Sequence, residues 1–255
     1  MKKHENIVGI IPARAGSRRV PGKNIRMFAG KPPLAWTVEE ARKSKYLDRV
    51  IVSTEDEKTA RIAKRYGAEV PFMRPNALAK SSTFTEPVLR HAIEWLKKNE
   101  NYKTDIMVLL YTTNPLRSYR HIDEAIELFL KKRPDSLSSA CEMGDAHHHP
   151  QWVFRPVRKG GHTELVNAVG DNIQDAPLMS QYLSKYYVKN DIVYVFRPKV
   201  LYQKNPCFWG GKRQEAYYMD SFYDEDINTQ EDWDRVEKKF KVFKKIGKVK
   251  ARLRR

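Results

Sequence analysis

Apolar positions fall along the chain in short blocks separated by stretches of helical spacing. Residues 7–11 form an apolar run that ends in Pro12. Pro32-Pro33 predicts a helix over 34–44, because proline fits the first helical turn. Residues 49–53 (RVIVS) read as a short β-branched strand. Thr54-Glu55-Asp56 opens a helix with N-terminal acids that runs to Tyr66 and stops at Gly67. Residues 68–72 read as another strand. The first third is therefore β-loop-α-β-α-β, the pattern of a parallel sheet covered by helices on both faces.

Further on, a helix is expected over 86–98. Residues 105–110 (DIMVLL) form the most continuous apolar run, as expected of a central parallel strand. Helical spacing returns at 122–130, small residues at 136–141 predict a strand, and so does the run 190–196. A helix is expected over 230–240. Between these lies an irregular segment, 142–179, rich in His, Pro, Gly and aromatic residues and too long for an ordinary connection. It reads as a lid or as an arm exchanged between subunits, with Trp152 and Phe154 as apolar anchors. No internal repeat divides the chain, so one α/β domain over 1–240 is expected, with the arm inserted at about 142–190 and a basic tail at 241–255.

Ligands of open α/β sheets sit at the carboxyl ends of the strands. The loops after Ile11, Phe72 and Leu110 should then meet in one crevice. The first of these loops holds Arg14, Gly16, Ser17, Arg18, Arg19, Gly22, Lys23 and Asn24. Small residues let backbone N–H groups approach an anion, and the cations neutralise it. It is neither a Walker A motif nor a G-x-G-x-x-G fingerprint. This chemistry points to a nucleotide or phosphosugar, with a basic surface turn as the alternative. The hydroxyl run Ser81-Ser82-Thr83-Phe84-Thr85 suits a phosphate or a base edge, or a helix cap. The acidic stretch 217–233 either offers oxygen ligands to a hard cation, with Asp226 foremost, or starts the last helix.

Composition narrows the class. The chain has 255 residues, 41% hydrophobic positions and five Trp, which is globular, and a formal net charge of +17. That charge favours polyanionic partners. Much of it lies in 238–255 (KKFKVFKKIGKVKARLRR), which reads either as a solvated terminal helix or as a basic amphipathic helix for anionic membrane or nucleic acid. No stretch has the length of a membrane span, and the first residues lack the apolar core of a signal peptide. The two cysteines, Cys141 and Cys207, imply no disulfide framework and suit the cytoplasm. The consecutive His147, His148 and His149 lack the spacing of a metal site.

The stretch 10–25 (IIPARAGSRRVPGKNI) also resembles the N-terminal signature of sugar nucleotidyltransferases, most closely the acylneuraminate cytidylyltransferases, I-P-A-R-x-G-S-(K/R)-x-x-P-G-K-N. Ile11, Pro12, Ala13, Arg14, Gly16, Ser17, Pro21, Gly22, Lys23 and Asn24 match. The resemblance continues through Arg74-Pro75, Leu78-Ala79, the 109–117 segment against L-L-Q-P-T-S-P-L-R, Asn190 and Tyr194 against N-G-A-I-Y, and Asp226 and Thr229 against D-I-D-T. It implies a Rossmann-like nucleotidyltransferase domain with an inserted dimerisation arm, transferring CMP from CTP to a nine-carbon α-keto acid sugar of the sialic, legionaminic or pseudaminic type. Ala13, Arg14, Lys23, Asn24, Arg74 and Thr85 would bind the nucleotide. Arg14, Lys23 and Asp226 would be catalytic, and Asp226 with Asn228 would hold Mg²⁺. Tyr111, Gln181 and Asn190 would face the sugar.

The departures are specific. Tyr111 replaces a sugar-contacting Gln, Thr112 a Pro and Asn114 a Ser, which suggests an altered sugar pocket. Ser180 stands where an Arg near the acidic sugar is usual, which leaves Lys185 and Lys189 as candidates for its carboxylate. Asn228 replaces the second metal-binding Asp, with Asp220, Asp224 and Glu225 as acids that could compensate. A homodimer is expected, and nucleic acid is not the expected partner. The alternatives are a synthetase for a Kdo-like acid or another base, and an inactive homologue that binds nucleotide or RNA.

Overall fold

The computed structural model describes residues 4–144, 148–169 and 176–252, so His147 and 253–255 lie outside it. In chain order the main elements are β1 (Ile7–Pro12), α1 (Pro33–Arg42), β2 (Arg49–Ser53), α2 (Glu57–Arg65), α3 (Thr85–Glu100), β3 (Ile106–Leu109), α4 (Tyr119–Lys132), β4 (Ser136–Glu142), β5 (Phe154–Lys159), β6 (His162–Asn167), β7 (Tyr187–Phe196), β8 (Gln214–Met219) and α5 (Gln230–Arg252). Six strands form a mixed sheet in the order β2-β1-β3-β7-β4-β8. β1 runs parallel to β2 and β3, with Ile10 opposite Ile51 and Leu109. β3 runs antiparallel to β7. The run 105–110 is therefore central, as expected, but parallel on one side only. Its continuous apolarity reports burial on both faces, which is the same for either direction of the neighbour.

The period of two along β1 sorts its side chains between two cores. Val8 and Ile10 pack with Leu89, Ala92, Ile93 and Leu96 of α3. Ile7 and Ile11 pack with Leu34 and Val38 of α1 and with Ile122, Ala125, Ile126 and Phe129 of α4. Full burial of each such side chain stabilises by roughly 1.5–3 kcal/mol. The strand expected over 68–72 shrinks to one parallel bridge between Glu69 and Ile51. Pro71 follows closely and has no N–H to donate to a ladder.

A third core attaches the last helix. Trp233, Val236 and Phe240 of α5 pack with Ile227, Leu116, Val20 and Phe28. Phe28 meets Trp233 edge-on, with ring centroids 5.2 Å apart. Ala29 N–H donates to Glu237 Oε1 at 2.7 Å, and the Arg26 guanidinium lies 4.7 Å from the Trp233 ring centroid. The loop after β1 and the acidic stretch before α5 are thus held together by apolar burial. α5 passes position 241 without a break.

The chain divides into two compact units, the first comprising Met1–Ser139, Asn190–Tyr217 and Phe222–Arg255, the second Ala140–Lys189 and Tyr218–Ser221. The second unit holds the antiparallel pair β5-β6. Gly160 and Gly161 join them at φ 51° and 87°, the left-handed conformation that a tight hairpin turn requires. The irregular segment read from the sequence thus contains a hairpin. Its Gly-Gly signal was legible, but its strands are mostly polar and lack the expected alternation. Trp152 donates its indole N–H to Pro177 O at 2.6 Å, whereas Phe154 is exposed.

His121, in the first turn of α4, is buried and accepts from Ser118 N–H through Nδ1 at 3.3 Å. Burial holds its pKa down from 6.5 to about 4, and the nearby Arg117 adds to this. Between those values the unfolded chain binds a proton that the folded chain does not, so stability falls as pH drops through this window. The loss should be on the order of 3 kcal/mol from pH 7 to pH 4. Urea unfolding at both pH values should show a smaller loss for His121→Asn than for the parent. Equal losses would show that this ring does not govern the acid limb.

Candidate active site

β1 ends at Pro12, and Ala13 N–H bonds Ser53 O at 2.9 Å, which ties the start of the loop to the end of β2. The loop then turns through Gly22 at φ 64°, whose carbonyl accepts from Ile25 and Arg26 N–H. Asn24 is the internal strut. Its Nδ2 donates to Arg14 O at 2.8 Å, and its Oδ1 accepts from the Thr112 hydroxyl at 2.5 Å. Asn114 Nδ2 donates to Glu225 O at 3.1 Å, and Ile227 N–H to Thr113 O at 3.1 Å. Thr112 and Asn114, which differ from the resembling signature, hold the loops together, and Thr112 also lines a cavity beside them. Both are buried.

These bonds bring Lys23 to the acidic stretch. Lys23 Nζ donates to Ile227 O at 2.7 Å. Its pKa is lowered, first by burial and then by Arg19 and Arg14, while Asp226 and Asp232 oppose the shift. Arg74 is buried, donates through Nε to the Ser53 hydroxyl at 3.1 Å, and is pushed down to about 10 by desolvation. Cations gathered out of water in this way call for an anion.

Two adjoining cavities share Arg14 and Lys23. One, of about 190 Å³, is lined also by Pro12, Asn24, Arg74, Leu78, Lys80, Thr83, Phe84, Thr85, Val88 and Tyr111–Thr113. The other, of about 440 Å³, adds Ser17, Arg18, Arg19, Ser81, Ser82 and Asn228. The hydroxyl run faces the cavities rather than capping α3, whose N-cap is Phe84 without a side-chain bond. Thr85 shares a hydrogen bond of 2.9 Å with the Tyr111 hydroxyl. Burial pushes the Tyr111 pKa upward, which keeps the phenol protonated.

Of the residues expected at the site, Arg14, Lys23, Asn24, Arg74, Thr85, Tyr111 and Asn228 line these cavities. Ala13 is fully buried and spends its N–H on Ser53, so its side chain and N–H are withdrawn from the cleft. Asn190 is 3% exposed, and neither polar atom of its amide has a partner. Gln181 belongs to the second unit, on the exposed turn Ser180–Tyr182. Arg117 is buried and bonds Tyr111 O, Ile192 O and the Thr37 hydroxyl, at 2.7, 2.8 and 3.1 Å. It is structural: its hydrogen-bond partners are two carbonyls and a hydroxyl, and Glu40 of α1 is the acid that acts on its charge. Arg18 and Arg19, read from the sequence as part of an anion-binding loop, line the larger cavity. Lys80 and Phe84 were missed, since nothing local marks them.

The acidic stretch has one atom suited to a metal. Asp226 Oδ1 is buried without a hydrogen-bond partner, while Oδ2 accepts from Asn228 Nδ2. Among the described residues no group of three or more His, Cys, Asp or Glu could hold a metal. One carboxylate with an amide neighbour fits a hard cation that takes most of its ligands from water and phosphate. Glu225 is engaged by Arg235 and Lys239, Asp220 lies in the second unit, and Asp232 accepts from Asn228 and Thr229 N–H at the start of α5.

The fold and this cleft define a nucleotidyltransferase-like α/β protein. The family model described as cytidylyltransferase matches residues 8–245, so the chain belongs to the cytidylyltransferase family. Post-translational flagellin modification protein B of Campylobacter coli is 31% identical over 91% of this chain and 93% of its own. Pseudaminic acid cytidylyltransferase of Campylobacter jejuni is 38% identical over 52% of this chain and 57% of its own, so that match spans little more than half of either. Among solved structures, CMP:2-keto-3-deoxy-manno-octonic acid synthetase complexed with CTP superposes with a TM-score of 0.64 at 16% identity, over 91% of this chain and 97% of its own, a likeness of fold. Among the described residues no helix is long and apolar enough to cross a membrane.

The lowered pKa of Lys23 sets a pH limit on anion binding. Affinity for inorganic tripolyphosphate should fall on the alkaline side at a pH below the ordinary lysine value of 10.5. Lys23→Arg should remove that limb, as calorimetric titration across pH would show. A limb unchanged in the variant would assign it to another group.

Proposed function

We propose that the chain transfers CMP from CTP to a nine-carbon α-keto acid sugar of the sialic, legionaminic or pseudaminic type, releasing pyrophosphate. The observation that carries this is the contact of Lys23 with Ile227, which brings the acidic stretch against the cationic loop and Asp226 within electrostatic reach of Lys23. The similarity to pseudaminic acid cytidylyltransferase supports the sugar class. The sugar hydroxyl attacks the α-phosphorus and loses its proton, and the bond from the α-phosphorus to the bridging oxygen of pyrophosphate breaks. Such transfer needs positioning and charge stabilisation more than covalent catalysis. Arg14 and Lys23, common to both cavities, would meet the charge at the α-phosphate. Asn24 would hold the loop through Arg14 O and Thr112. Thr85 would position Tyr111 against the sugar.

Asp226 and Asn228 would hold Mg²⁺, which when bound supplies charge neutralisation at the phosphates. Exposed apolar side chains of the second unit support a homodimer: Leu178 is 97% and Tyr182 65% exposed. Cys141 and Cys207 form no disulfide, which suits the cytoplasm as the compartment.

Pyrophosphate release with CTP, Mg²⁺ and a panel of sugar acids tests this function. Arg14→Ala should lower kcat/KM by about 10²–10³, the usual effect of removing a charge-stabilising donor. Full activity in Arg14→Ala, or no release with any nine-carbon acid, would refute it. Asn228→Asp adds a negative ligand and should lower the Mg²⁺ concentration for half-maximal rate, with tighter Mn²⁺ binding by paramagnetic resonance. An unchanged Mn²⁺ affinity would place the metal away from Asn228.

A further inference from the structure

The two cavities differ in kind, and the difference orients a nucleotide. The larger gathers Arg18 and Arg19 with the shared Arg14 and Lys23, and so suits phosphates. The smaller adds Arg74 and Lys80 to the shared pair, but it alone has apolar walls: Pro12, Leu78, Val88 and Phe84. The larger is lined by polar and charged residues throughout, so phosphates suit it and the nucleoside end is left to the apolar walls of the smaller. Phe84 stands out among them. It is 79% exposed, although it lies in the wall of a cavity. Among the described residues its ring has no aromatic or cationic partner. Its backbone is fixed as the N-cap of α3, next to Thr85.

We propose that Phe84 is a nucleobase-binding residue whose ring stacks on the base of the bound nucleotide and covers it from solvent. This rests on the nucleotide reading of the cleft. An aromatic face in water gains from a flat π partner, and stacking accepts any base. Phe84 therefore adds affinity for the nucleoside and leaves the choice of base to the polar groups of the cavity. The ring has no partner to lose, so its replacement leaves the fold intact.

Titration calorimetry with CTP and with inorganic tripolyphosphate, each with Mg²⁺, separates the two cavities. Phe84→Ala should weaken CTP binding roughly tenfold, the order expected for one base–aromatic stack, and leave tripolyphosphate binding unchanged. Phe84→Trp should retain CTP binding. Its emission, taken as the difference from a parent with five Trp, should respond to CTP and not to tripolyphosphate. Parental CTP affinity in Phe84→Ala, or a tryptophan response to tripolyphosphate equal to that with CTP, overturns the assignment of Phe84 while the nucleotide site stands. A parent that binds tripolyphosphate but not CTP overturns both.

Discussion

A half-buried ammonium bonded to a backbone carbonyl connects the two ends of this chain. Lys23 reaches Ile227 O and feels Asp226 more strongly than any other carboxylate. The contact costs desolvation, and two nearby arginines add repulsion. It persists because the apolar core of Phe28, Trp233 and Phe240 fixes both segments independently of their charges. The strain of gathering like charges is thus held by hydrophobic packing, and an incoming polyanion relieves it.

Polar struts join the loops of the site. Asn24 and Thr112 join the first and third strand ends, and Asn114 and Thr113 join the third to the acidic stretch. Every partner is a main-chain group or a neutral side chain. Such bonds depend on geometry and on a small donor or acceptor rather than on one residue type. Thr112 and Asn114 could therefore replace other residues while the frame stayed the same. Arg117 performs a related task, holding Tyr111 O with a guanidinium whose pKa burial lowers to about 9 and which stays charged at neutral pH.

The position proposed for a metal is balanced differently. Asn228 gives its amide N–H to Asp226 Oδ2, which leaves Oδ1 as the buried oxygen without a partner. A single carboxylate beside Lys23 is a weak site for a free divalent ion. Added phosphates reverse the local charge, so ion and triphosphate should enter the cleft as linked partners.

Much of this was readable from residue order alone. Continuous apolar and β-branched runs marked the strands, proline and glycine marked the boundaries, and the cation-rich loop announced an anion. Those features depend on near neighbours in the chain, so sequence determines them directly. The direction of β7 beside β3, the use of Asn24 as a strut, the orphan oxygen of Asp226 and the exposed ring of Phe84 did not show. Each depends on groups brought together across long stretches of chain: Asn24 meets Thr112, and Lys23 meets Ile227. Only the packing of three cores decides those distances, because pairing and desolvation arise between side chains that are neighbours in space and not in sequence.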